Sequence, residues 1–93
     1  GNVSDWPPPE RYTYVRTGLE YVAPGRAPAL IRRLLLEVVA PGGRLIVGPV
    51  HERDVPHTVD AFRAAGVAAP ALARAGDRNG RVRAVVWARP ADL

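Results

Sequence analysis

Between Pro28 and Val47 the chain switches from one hydrophobic period to another, and this switch constrains the fold more than any other feature. Leu30, Ile31, Leu34, Leu35 and Val38 recur at the spacing of one helix face, with Pro28 suited to the first turn. Leu45-Ile46-Val47 is instead a continuous apolar run bounded by Gly and Pro. Ala40-Pro41-Gly42-Gly43 stands between them, and Pro cannot continue a helical ladder. The pattern predicts a helix over 28–39, ended by residues 40–43, and then a strand. A wholly apolar strand is expected to be covered on both faces, the habit of parallel sheets.

Upstream, Arg11-Tyr12-Thr13-Tyr14-Val15-Arg16 is rich in β-formers and predicts a strand. Residues 1–10 contain Trp6-Pro7-Pro8-Pro9 and predict an extended lead-in, because a proline run neither joins a helix nor donates to a sheet. Thr17 to Val22 is a short helix or a loop before the turn signal Pro24-Gly25. Downstream, Asp54 is placed to cap a second helix that carries Pro56 in its first turn and Val55, Val59 and Phe62 on one side, and that stops at Gly66. Ala71 to Ala75 and Arg81 to Arg89 then flank Asp77-Arg78-Asn79-Gly80, whose Asn-Gly pair favours a tight hairpin.

The expected order is strand, helix, strand, helix, strand, strand. The class is α/β: a partial Rossmann-like open sheet, with a parallel strand-helix-strand crossover, a further helix and a C-terminal antiparallel hairpin. At 93 residues this is one small domain, 1–93. It reads as half of an open sheet, because the strand at its boundary leaves a row of backbone groups unpaired.

Composition narrows the function classes. No apolar run approaches the ~18 residues of a membrane helix. There is no cysteine, hence neither disulfides nor thiol chemistry. The chain opens Gly1-Asn2-Val3-Ser4, without an initiating Met or a basic-then-apolar leader, and a cytoplasmic location is the default expectation. Net charge is +4 and all 13 basic residues are Arg. These are scattered along the sequence rather than interleaved with aromatics, so nucleic acid is not the expected partner. Two histidines beside Glu52 and Asp54 match no metal-ligand spacing.

Several segments taken in order resemble a known family. These are Arg11-Tyr12-Thr13-Tyr14-Val15, Leu19-Glu20-Tyr21-Val22, Val39-Ala40-Pro41-Gly42-Gly43-Arg44-Leu45-Ile46-Val47, Ala61-Phe62-Arg63-Ala64-Ala65-Gly66-Val67 and the final hairpin. Together they resemble the second half of a class I S-adenosylmethionine-dependent methyltransferase. The resemblance implies that the segment around residues 40–47 enters the fifth strand of that fold and that the last two strands form its only antiparallel pair. Thr13 stands where the family usually has an acidic residue. The glycine-rich turn and the ribose-binding acidic residue lie upstream in the family and have no counterpart here. The chain is therefore expected to be a C-terminal portion, inactive alone, with its partner either the missing N-terminal half or a second copy, and to bind S-adenosylmethionine weakly or not at all by itself.

The resemblance also implies sites. Gly1-Asn2-Val3 is similar to the family's Gly-Asp-Ala beside adenine, with Asn2 and Val3 as cofactor contacts; the alternative is a frayed chain end. Trp6 either shelters adenine or covers the sheet edge. Arg16 and Thr17, ending the first strand, would lie beside the methionine part of the cofactor; Arg16 pairs either with a ligand carboxylate or with Glu20 at the surface. Tyr21 either lines the substrate pocket or packs under the helix. His51 and Glu52 follow the apolar strand and are candidates for general-base catalysis, although adjacent residues on extended backbone point opposite ways. His57 reads as a surface residue. The methyl acceptor stays open, as does a different class of function: a non-enzymatic α/β module that associates through its exposed sheet edge.

Overall fold

The computed structural model describes residues 11–19, 22–76 and 78–93. The elements are β1 (Tyr12–Thr17), α1 (Ala27–Glu37), β2 (Val39–His51), α2 (Val55–Ala64), β3 (Ala71–Gly76) and β4 (Val82–Ala88), with single 3-10 turns before each helix and at the chain end. The expected order of elements holds. The result is an α/β fold with a mixed open sheet of strand order β1-β2-β4-β3. β1 and β2 run parallel, as a helical crossover requires. Antiparallel pairing occurs twice rather than once, because β4 lies between β2 and β3 and opposes both.

Both helices lie on one face. Leu45 and Val47 of β2 and Val86 and Ala88 of β4 point into a core closed by Ile31 and Leu35 of α1 and Phe62 and Ala65 of α2, with Val15 of β1 packed against it. Ile46, expected to be fully covered, alternates onto the opposite face and is only half-buried. On that face no helix covers the strands among the described residues.

The helix boundaries depart from the sequence reading at two places. α1 ends at Glu37, where the Val38 N–H closes back on the Leu34 carbonyl at 3.0 Å. Ala40-Pro41-Gly42-Gly43 therefore does not stop the helix; it forms an excursion at the start of β2, between the pairs Tyr12↔Val39 and Tyr14↔Arg44. Asp54 precedes α2 but its side chain makes no capping bond. The Thr58 hydroxyl donates instead to the Asp54 carbonyl, at 3.0 Å. Gly66 does stop α2: its φ is +113°, and the Val67 N–H returns to the Phe62 carbonyl at 3.0 Å, closing the end as a left-handed cap does.

β2 bulges at Gly48-Pro49, a cis peptide, where two residues oppose the single Val85. A Cβ on Gly48 would stand 2.9 Å from the Ala84 carbonyl oxygen and 2.9 Å from Val85 Cγ1, so only glycine fits. The expected hairpin is present, but β3 ends at Gly76 and β4 begins at Val82, a wider separation than the two-residue turn that Asn-Gly favours. Among the described residues no helix is long and apolar enough to cross a membrane.

Candidate functional site

β1 and β2 end side by side, and their carboxyl ends open into a cavity of about 690 Å³. Leu19 and Val22 come from the segment after β1, Val50 and His51 from the end of β2, and Pro24, Ala27 and Pro28 from the entry to α1. The far wall is one face of α2: Asp54, Thr58 and Ala61 repeat at helical spacing, with His57, Asp60 and Ala64 beside them. The cavity thus has an apolar floor and a rim that carries His57 and the carboxylates of Asp54 and Asp60, with His51 bordering it from the end of β2. It lies where open α/β sheets hold their ligands, outside the carboxyl ends of parallel strands.

Arg16 and Thr17 end β1, but neither lines the cavity: Thr17 alternates with Arg16, which points to the opposite sheet face beside Pro49, Arg83 and Val85. Arg16 Nε donates to the Gly48 carbonyl at 3.1 Å, which ties the end of β1 to the bulge of β2. The Thr17 hydroxyl donates to the Gly18 carbonyl at 3.1 Å, leaving its oxygen as an acceptor. Asn2, Val3, Trp6, Glu20 and Tyr21 lie outside the described residues.

His51 and Glu52 do not act on each other. His51 faces β4, with Arg83 Nη1 at 2.8 Å from Nδ1 and 3.1 Å from Nε2. Arginine has only donors, so an imidazole nitrogen bonded to it must present its lone pair. Glu52 turns to β3 and accepts from Arg74 Nε at 2.9 Å and from Nη2 at 2.6 Å, a forked pair. The hydrogen bond from Arg74, reinforced by its charge, holds the Glu52 carboxyl below the usual carboxylate range. A depressed carboxylate contributes stability above its unfolded pKa, ~4.3, and loses it as pH falls through the folded value. The pair is exposed, so its contribution is small. Carboxyl-resolved NMR titration should place Glu52 below the usual glutamate range, and Arg74→Ala should move Glu52 up while barely changing the melting temperature. An unmoved Glu52 in Arg74→Ala would show that the pair does not form in solution.

Of the cavity residues, Asp54, His57 and Asp60 were not legible as a group, since His57 reads as surface and Asp54 as a cap. The signal was the spacing 54, 57, 58, 61 on a helix that follows a strand's carboxyl end. Among the described residues no three His, Asp or Glu side chains gather as a metal site. Comparison with family models, curated proteins and solved structures returns no match for this chain.

Proposed function

We propose that this chain is the C-terminal part of a class I S-adenosylmethionine-dependent methyltransferase with a Rossmann-like sheet, forming the substrate-side wall of the site and part of the cofactor's surroundings, and inactive alone. The observation that carries the reading is the cavity at the carboxyl ends of a parallel pair, within a chain whose motifs follow the family's order. The order and pairing of β1, α1, β2 and α2 and the terminal hairpin support it. Thr17, on the helix side of β1, is the described strand-end residue that would face the cofactor, while Arg16 lies on the opposite sheet face and is tied to the Gly48 carbonyl. The cofactor, when bound, supplies an activated methyl group.

The chain's own residues would orient the acceptor and exclude water. Leu19, Val22 and Val50 give the acceptor an apolar seat. His57, on the cavity rim, can take the proton that an acceptor hydroxyl or amine releases as its new bond to carbon forms. Positioning two reactants in line needs no covalent protein group, so the want of a nucleophilic triad does not weigh against this chemistry.

The test is to isolate the native gene product, read its intact mass and N-terminus, and photolabel it with radioactive S-adenosylmethionine beside residues 1–93. A longer product that labels while residues 1–93 do not is expected. A native product identical to residues 1–93 that takes no label would overturn the reading. A second reading, an interaction module, is favoured by one observation: β1 is an outer strand on which Tyr12 and Tyr14 are 57% and 68% exposed. Light scattering on the same preparation separates the two, since a strictly monomeric chain counts against association through that edge.

A further inference from the structure

The two carboxylates beside the cavity differ from the other acidic side chains among the described residues. Glu37 is paired with Arg33 and Glu52 with Arg74, and the Asp92 carboxylate accepts from the Arg89 backbone N–H at 2.8 Å. Asp54 and Asp60 have neither an ion pair nor a side-chain hydrogen bond among the described residues, in a chain that carries 13 arginines and a net charge of +4. Strand alternation explains part of this, because Arg16, Arg44 and Arg83 lie on the sheet face that turns away from the cavity. Among the described residues that line the cavity there is no arginine. The fold thus leaves its two unpartnered carboxylates at the one place where an apolar floor is open to a small molecule. A cleft with charge of a single sign and low-dielectric walls attracts the opposite charge more strongly than an open surface does.

We infer that the cavity takes a primary or secondary amine with an apolar body, bound as its ammonium. Leu19, Val22, Val50 and Ala61 seat the body, and about 690 Å³ lies within the ~300–1,000 Å³ of small-molecule sites. Asp54 and Asp60 stand at positions separated by roughly 9 Å along the α2 wall, so negative charge borders the seat at both ends. An ammonium brings N–H donors, which carboxylate oxygens accept. The Thr58 hydroxyl already donates to the Asp54 carbonyl and presents its lone pair as a further acceptor. A carboxylate or phosphate ligand would meet like charge here, and a neutral ligand would leave both aspartates unpaired. As the substrate of the proposed reaction the amine rests on the methyltransferase reading; its binding rests on the cavity alone. In that role the ammonium gives one N–H proton to His57, and the lone pair so freed takes the methyl group as the sulfonium's S–C electron pair stays on sulfur.

The test is calorimetric titration of residues 1–93 at neutral pH, where an aliphatic amine is protonated, with three ligands of similar shape: phenethylamine, phenethyl alcohol and phenylacetate. The amine is expected to bind at least about ten-fold tighter than the alcohol, and phenylacetate to bind most weakly. Asp54→Asn and Asp60→Asn should each weaken the amine by about three- to ten-fold and leave the alcohol unchanged, a difference that loss of the fold would not produce. Neither aspartate side chain bonds within the described fold, so both variants are expected to fold. Amide shifts on amine binding should centre on Val50, Thr58 and Ala61. Equal affinity for amine and alcohol, tighter binding of phenylacetate, no binding of any of the three at millimolar concentration, or an amine affinity that neither variant moves would each overturn the inference. Incubating the native gene product with S-adenosylmethionine and each ligand separates the two proposals. Amine binding without a methylated product leaves this inference standing and counts against the methyl-transfer reading, whereas methylation of the alcohol and not the amine overturns the inference and supports that reading.

Discussion

Phe62→Ala is expected to remove a large share of the stability of this domain. Among the described residues Phe62 is the largest fully buried side chain, and it sits where α2 meets the sheet, in one cluster with Ile31 and Leu35 of α1, Leu45 and Val47 of β2, and Val86 of β4. Every layer of the fold therefore borders the space that Ala would leave. Truncating a buried Phe to Ala costs ~3–5 kcal/mol, transfer and cavity terms together. A chain of this length has ~5–14 kcal/mol to lose. The small size sharpens the effect, because a thin core has no second layer that relaxes into the gap. With ~4–8 °C of melting temperature per kcal/mol in domains of this size, a drop of about 15–30 °C is expected in a circular-dichroism melt. Leu36→Ala is the control: Leu36 lies on the same helix layer but is 47% exposed, and its truncation should stay within about 0.5 kcal/mol. Equal shifts for the two variants would mean that Phe62 does not organise the core as described.

The same cluster shows why so much of the architecture was legible. Ile31 and Leu35 repeat at helical spacing, and they are the residues that reach the core. Phe62 and Val55 do the same on α2, and Gly66 ends that helix for the backbone reason a sequence reading invokes. What failed was reading a local signal without its strand neighbours. Ala40-Pro41-Gly42-Gly43 has the chemistry of a helix stop, yet α1 had already ended, and the tetrapeptide is needed instead where β2 passes β1. Leu45-Ile46-Val47 looks buried throughout, but alternation sends Ile46 to the face that the described helices do not cover. The pleat decides this, and composition does not record it.

The site was legible in its location and not in its members. Arg16, Thr17, His51 and Glu52 were placed at carboxyl ends of strands by position alone, and they are there. Side-chain partners depend on the neighbouring strand, which no local pattern names. Arg83 reaches His51 because the β2/β4 register sets them opposite, and Arg74 reaches Glu52 from β3 across the same sheet. The gathering of Arg16, Arg44 and Arg83 on one face has the same origin. Arginines far apart along the chain become neighbours only once strand order and register are known.

Two adjacent glycines should respond oppositely to the same substitution, and the difference isolates the β1/β2 junction. A Cβ on Gly43 would stand 2.5 Å from the Thr13 carbonyl oxygen and 3.0 Å from the Thr13 Cα, both backbone atoms of β1. Neither can rotate away, so Gly43→Ala must push β1 off β2, at the ~1–3 kcal/mol typical of overpacking. Gly42 has nothing within 4 Å of its would-be Cβ and no positive φ. There Ala removes freedom mainly from the unfolded chain, and Gly42→Ala should be neutral or stabilising by up to about 1 kcal/mol. The loss in Gly43→Ala should also be local. β1 is an outer strand held on one side, while β2 keeps its pairing with β4. Amide hydrogen exchange should therefore speed up across Tyr14 to Thr17 and stay unchanged across Val85 to Ala88. Because Arg16 is tied to Gly48 only while β1 lies in place, displacement of β1 would break that bond and shift Leu19, which follows β1 and lines the cavity, so whatever ligand the site takes should bind more weakly in Gly43→Ala than in Gly42→Ala. Uniform exchange across both strand pairs would show that β1 is no separable edge but part of one cooperative sheet.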